Sequence, residues 1–289
     1  MTGIYEYLLL MFLISILAGL IGSLVGVGGG ILVVPALTLI FGVPIQYAAG
    51  ASIVSVIATS SGSATAYVRD RLTNLRIGMF LEIGSATGAI LGAISTFFIV
   101  RSGLSYLLFL AFGLVLFFSA YTTAVRIRKE REREAERVNL TPNKIATRLK
   151  LGGEYEDKVL KAKISYVADS VPAAFVVMAC AGLMAGLLGV GGGVLKVVGM
   201  DNFMKLPFKV SSTTSNFMIG VTAAASTAIF YVGGYINPIL AAPVAIGVVV
   251  GSFVGAKVLV RTKPVSLRWL FVVALVAIGI EMIYQGLSL

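Results

Sequence analysis

The chain has 289 residues, of which 58% are hydrophobic and 12% charged, with a mean hydropathy of +0.97 and a net charge of +10. So few polar side chains cannot coat a water-soluble globule of this size, so the surplus apolar surface must face lipid. The absence of histidine and the single cysteine exclude imidazole metal sites, histidine proton relays and an intrachain disulfide.

Apolar runs occupy residues 4–25, 46–67, 77–100, 104–125, 172–188, 210–231, 238–260 and 266–287. Most reach or approach the roughly 20 residues that span a bilayer core as helix. They are continuous rather than alternating in polarity, which excludes a β-barrel. Residues 1–68 contain no lysine or arginine, so the cationic start of a signal peptide is missing and the first run is expected to be retained. That run ends in Gly26-Val27-Gly28-Gly29-Gly30. Each glycine costs about 1 kcal/mol in a helix relative to alanine, so the run predicts a break. A short apolar stretch, Ile31–Phe41, and then Pro44 follow. The next run carries Ser52, Ser55, Thr59, Ser60 and Ser61, and the one after it contains Glu82, an acid within an apolar helix. Glu82 is a candidate for carrying a coupled proton; the plainer reading is a polar group near a membrane face that reaches water or Arg76.

Residues 126–170 hold 12 of the 23 basic residues from Arg126 to Lys163, and eight acids. RIRKEREREAERV alternates in sign and predicts a solvated extension of the preceding helix, within a connector whose charge fixes topology. The next run contains Cys180, expected to be a small buried apolar residue. It leads into a second Gly189-Val190-Gly191-Gly192-Gly193, with Lys196 in the stretch Val194–Met204 that follows. Ser211, Ser212, Thr213, Thr214, Ser215 and Asn216 then stand in a row.

The two halves repeat. An offset of 163 holds without a gap from Gly19 and Gly182 to Gly92 and Gly255, with 19 identities in 74 positions. It aligns Pro44 with Pro207, Ser52 with Ser215, Thr59 with Thr222 and Asn74 with Asn237. Separated glycines suit helix packing, whereas consecutive ones expose backbone, which membranes tolerate only inside protein or beside a cavity. If each broken segment dips in and returns, the copies are antiparallel, with the N-terminus outside and residues 126–170 cytoplasmic. Arg69, Arg71, Arg76, Lys205, Lys209, Arg261, Lys263 and Arg268 then also lie inside, and only Arg101 lies outside. Parallel copies would put six basic residues outside, so the distribution of positive charge favours inversion. The chain is read as an all-α integral membrane protein of two inverted five-helix repeats, each opening with a glycine-broken helical hairpin. Residues 1–125 form the first repeat, 126–170 the linker and 171–289 the second repeat.

Inverted repeats bring two such breaks together near mid-membrane, where helix starts present N–H groups to an anion. The candidate substrate-binding residues are Gly28, Gly29, Gly30, Gly191, Gly192, Gly193, Lys196, Ser52, Thr214, Ser215 and Asn216. Lys196 replaces Val33 of the first copy and needs a negative group to offset its burial; Asp201 is the nearest acid in sequence. Snorkelling to the cytoplasmic side is the alternative.

Gly22, Gly26 and Gly28–Gly30 with Pro35, then Gly186, Gly189 and Gly191–Gly193 with Pro207, resemble the TauE/SafE sulfite exporter family. The resemblance spans the chain apart from residues 126–170. It implies transport of a small sulfur-containing or organic anion, such as sulfite, a sulfonate or thiosulfate, across the cell membrane. The second copy departs from the pattern with Val198 in place of Pro35 and Lys196 in place of Val33. The expected function is secondary transport of such an anion; the alternative is an anion channel of the same architecture. No cofactor, metal, nucleic acid partner or enzymatic set is expected. Coupling to a proton or another cation, and a homo-oligomer, stay open.

Overall fold

The computed structural model describes residues 2–25, 28–69, 72–136, 146, 148–149, 151–157, 162–261 and 265–288. Among the described residues, five helices on each side of the linker follow in chain order. In the first half they are α1 (Thr2–Val25), α2 (Gly30–Pro35, continued by a π-helical turn, Ala36–Ile40), α3 (Ile45–Arg69), α4 (Leu75–Arg101) and α5 (Tyr106–Glu136). In the second they are α6 (Val171–Leu188), α7 (Gly193–Val198, continued by the π-turn Gly199–Phe203), α8 (Phe208–Val232), α9 (Pro238–Arg261) and α10 (Val265–Ser288). Each of the eight apolar runs falls on one long helix. Seven of these are long and apolar enough to cross a bilayer; α3, rich in serine and threonine, is outside that set.

The helices interlock between halves. Helix α1 packs along α9 and α6 along α4, while α3 packs on α8 and on α9, α4 on α8, and α5 on α10. Exchange of the halves turns α1–α9 into α6–α4 and α3–α9 into α8–α4, so the packing obeys the sequence offset. The close approach is set by separated glycines. A Cβ at Gly88 would strike Ala179 O and one at Gly251 would strike Ile16 O, which are equivalent contacts. The consecutive glycines act differently: Gly28, Gly191 and Gly192 have φ of +75°, +73° and +66°, which stops one helix and re-aims the next.

Two ends can be distinguished. At one, Tyr7 Oη donates to Phe41 O at 3.1 Å, and Tyr235 meets the rings of Tyr47, Phe97 and Phe230. At the other, Lys205 pairs with Asp169 of the linker at 3.4 Å, and Arg128 lies over Trp269. Helix α1 starts at the first end, and the 11 residues of α2 with its turn come back to it, a return of roughly 16 Å at helical rise.

The linker is more ordered than a solvated connector. Helix α5 does continue through the charged run to Glu136, as expected. Beyond it, β1 (Gly152–Asp157) and β2 (Ala162–Val167) form an antiparallel hairpin with Glu156 opposite Lys163. Tyr155 is buried against Leu24, Leu72, Val197, Phe208 and Val210, with Tyr166 beside them. Asn74 Nδ2 donates to Gly152 O at 3.2 Å and to Tyr166 Oη at 3.1 Å. Burial pushes the Tyr166 phenol above its ordinary pKa range, although the bond from Asn74 works against the shift. Apolar burial and side-chain hydrogen bonds thus hold this hairpin to the helices, and the all-α description applies to the membrane part alone. Cys180 also departs from expectation: it lies on the exposed face of α6 rather than in the core.

Candidate functional site

The two glycine breaks adjoin. A Cβ on Gly30 would come within 3.3 Å of Val190 Cα, and Ile219 of α8 borders both Gly28 and Gly191. The same bond supports both returning helices: Ser52 Oγ donates to Gly30 O at 3.3 Å and Ser215 Oγ to Gly193 O at 3.1 Å. Gly29 precedes α2 and Gly192 precedes α7, each as the residue on which the helix starts. An apolar crevice lined by Ile31, Val115, Met184, Val190 and Val194 flanks the breaks.

Lys196 is 0% exposed, so it does not snorkel to a membrane face. Its compensating anion is not Asp201 but Glu82, 6% exposed on α4, whose Oε2 lies 3.5 Å from Lys196 Nζ. Thr222 of α8 stands between them. Its hydroxyl accepts from Lys196 Nζ and donates to Glu82 Oε1 at 2.5 Å. Ser85 Oγ lies 3.0 Å from the same hydroxyl. Glu82 Oε2 has no hydrogen-bond partner among the described residues, so one face of the carboxylate is held by charge alone. The plainer reading of Glu82, a group reaching water or Arg76, does not fit this burial. Two ionisable residues with apolar counterparts, Val33 and Ala245, have found each other across three helices.

The remaining candidates separate into frame and site. Ser52 and Ser215 spend their hydroxyls on glycine carbonyls, as above. Thr214 Oγ1 accepts from Asn74 N at 3.1 Å and so fastens α8 to the loop under the hairpin, away from the breaks. Asn216 Nδ2 donates to Ser23 O at 3.2 Å near the end of α1, leaving a buried Oδ1 without a partner among the described residues. Ser211 and Ser212 carry buried hydroxyls in the same condition. Thr222 and Ser85 were not singled out from the sequence, although Thr222 is one of the identities in the repeat. The described residues contain no cluster of three or more His, Cys, Asp and Glu suited to a metal.

Known proteins resemble this chain over most of its length. Residues 11–282 match the family described as Sulfite exporter TauE/SafE. The chain is 27% identical over 286 residues to Probable membrane transporter protein YunE of Bacillus subtilis, covering 96% of this chain and 98% of that one. It is 27% identical over 250 residues to Probable membrane transporter protein YdhB of the same organism, covering 86% and 88%. It is 24% identical over 296 residues to Probable membrane transporter protein MJ0441 of Methanocaldococcus jannaschii, covering 96% and 97%. No solved structure matches. With its match over nearly the whole length, the chain belongs to the TauE/SafE sulfite exporter family and is a multi-pass membrane transport protein.

Proposed function

We propose that the protein is a secondary carrier for a small sulfur-containing or organic anion of the sulfite, sulfonate or thiosulfate type, and that Lys196 holds the anion. The observation that carries this reading is the fully enclosed lysine beside paired helix breaks. An ammonium at membrane depth costs about 3 kcal/mol on insertion scales, so its retention points to a task that needs positive charge. The glycine backbone at Gly28–Gly30 and Gly191–Gly193 forms the walls, and Ser52 and Ser215 hold them in register. A carrier accounts better than a channel for the closure on both sides of the breaks. The aromatic group of Tyr47, Phe97, Phe230 and Tyr235 lies toward one end, and the Leu24–Val197–Phe208 cluster under the hairpin toward the other.

The same reading includes the inverted arrangement, with the N-terminus outside and the linker in the cytoplasm. It is supported by the exchange of packing partners and by the gathering of Lys205, Arg128 and the linker at one end, opposite Arg101. Two experiments test the proposal. Purified protein in liposomes is expected to take up at least one labelled anion from a panel of sulfite, thiosulfate, sulfate and methanesulfonate; uptake equal to that of empty liposomes for all four rejects it. A cysteine placed in the 232–237 turn, with Cys180 replaced by alanine, is expected to react with an impermeant reagent from outside cells. A cysteine at Arg71 or Lys263, positions outside the described residues, is expected not to react. Labelling of the turn and of position 71 from the same side rejects the inversion and favours parallel copies.

A further inference from the structure

The pair formed by Glu82 and Lys196 has a consequence for how an anion enters. Lys196 already has an anion. Glu82 occupies the negative side of the ammonium at 3.5 Å, with Thr222 bonded to both, and the cluster has no exposed lysine surface to which a second anion could add. Two negative groups on one buried ammonium would leave a net charge in an enclosed, low-dielectric space. Substrate and carboxylate are therefore alternatives.

We propose that Glu82 is an internal stand-in for the substrate, and that the anion replaces it beside Lys196 only when Glu82 takes up a proton. This rests on the carrier reading above and assigns its coupling. The exchange balances. A proton from water on the open side converts the Glu82 carboxylate to a carboxyl group, the ion pair with Lys196 is given up, and the anion pairs with the ammonium. For a monoanion the enclosed charge is the same before and after, so the loaded and empty carriers both cross their closed states without an unpaired charge. On the far side the anion leaves, the proton leaves, and the pair re-forms. Thr222 is the positioning residue: its hydroxyl donates to the carboxylate, and it can keep its bond from Lys196 while Glu82 lets go.

The surroundings leave Lys196 as the charge that answers to Glu82. Helix α6, packed along α4, carries no titratable side chain except Cys180, which is exposed. Helix α8 carries Lys209 near its start and Tyr231, exposed, near its end. On α5, Tyr106 and Tyr121 are exposed, and on α4 itself Arg76 and Arg101 are exposed. Helix α7 brings Lys196, and its π-turn brings Asp201, buried five residues further on.

The test uses the full-length protein with methanesulfonate and ethanesulfonate, monoanions across the range studied, so that every proton counted belongs to the protein. In wild type, binding is expected to weaken as pH rises from about 5.5 to about 8, by up to roughly tenfold per unit, because the competent form is protonated. A pH-sensitive dye inside liposomes is expected to record one proton entering with each anion. Glu82→Gln fixes the neutral state. Anion binding is then expected to be at least about tenfold tighter at the upper pH and independent of pH, and anion exchange in preloaded liposomes to proceed without proton entry, while net uptake slows because the empty carrier holds Lys196 unpaired. If wild type moves neither sulfonate, the exchange is overturned for sulfonates, and if it also moves none of the four anions of the uptake panel, the carrier reading fails with it. If wild type moves an anion without a proton, or if Glu82→Gln keeps the wild-type pH dependence, the exchange alone is overturned. Should Glu82→Gln fail to fold, the wild-type proton count decides by itself.

Discussion

The two glycine breaks share a frame of ties and turns, although Gly29 has φ of -63° where its equivalent Gly192 has +66°, and they differ in their contents. Each returning helix is tied by a serine hydroxyl to its first carbonyl, Ser52 to Gly30 and Ser215 to Gly193. Two residues beyond each π-turn stands a residue with positive φ, Gly42 at +64° and Lys205 at +54°, which are equivalent positions. Around the second break stand Lys196, Glu82, Ser85 and Thr222; the equivalent positions around the first are Val33, Ala245, Val248 and Thr59. The backbone frame is duplicated, and the charge is not. A symmetric frame can serve a two-sided motion while a single charged cluster serves a single substrate.

That contrast can be broken most forcefully at Lys196. Lys196→Met is expected to reduce anion transport by roughly 100-fold or more in the liposome assay, the scale of losing one partner of a buried charge pair. The protein is expected to stay folded, since Glu82 can take a proton. Lys196→Arg, with a planar head in a small space, is expected to lose roughly tenfold. Unchanged apparent affinity in the Met variant would remove lysine from the site. The converse substitution sharpens the comparison. Val33→Lys puts a cation where no acid waits and is expected to cost about 3 kcal/mol of stability, read as a lowered midpoint of thermal or denaturant unfolding in detergent. Adding Ala245→Glu is expected to recover most of that loss, because it rebuilds the pair on the other side. The smallest effect lies in the shared frame: Ser52→Ala and Ser215→Ala are each expected to cost about 1 kcal/mol, and by similar amounts. Marked inequality would show that the two returning helices are not held alike.

The helical framework was legible because lipid makes hydrophobic length a direct readout of span, and because consecutive glycines and the repeat leave local marks. The site was legible only by residue. Lys196 and Glu82 each stood out as a charge without a counterpart, yet nothing local joined them: Glu82 and its bridge Thr222 are 140 residues apart. The pairing arises from the packing of α4, α7 and α8, which a one-dimensional pattern does not contain. Asp201 is the acid nearest Lys196 in sequence, but five positions put it off the i+4 face, and proximity across helices leaves no local mark. The hairpin was missed for another reason. The charge of the linker masks the alternation in GGEYED and AKISYV, where Tyr155 and Tyr166 turn toward the protein and Glu154 turns away.

The interlocking of the halves bears on how the chain is made. Helix α1 is complete at Val25, but the helix it packs against, α9, begins only at Pro238. During synthesis α1 enters the bilayer and waits with its Ser15, Ile16 and Gly19 face turned to lipid until α9 has left the ribosome. Helix α4 waits more briefly for α6, and α5 waits for α10, the last to arrive. Neither half can therefore mature by itself. A chain truncated after the linker leaves α1 and α5 without their partners, a substrate for membrane quality control rather than a half-transporter. Two separately expressed halves, by contrast, carry between them every surface that assembly requires.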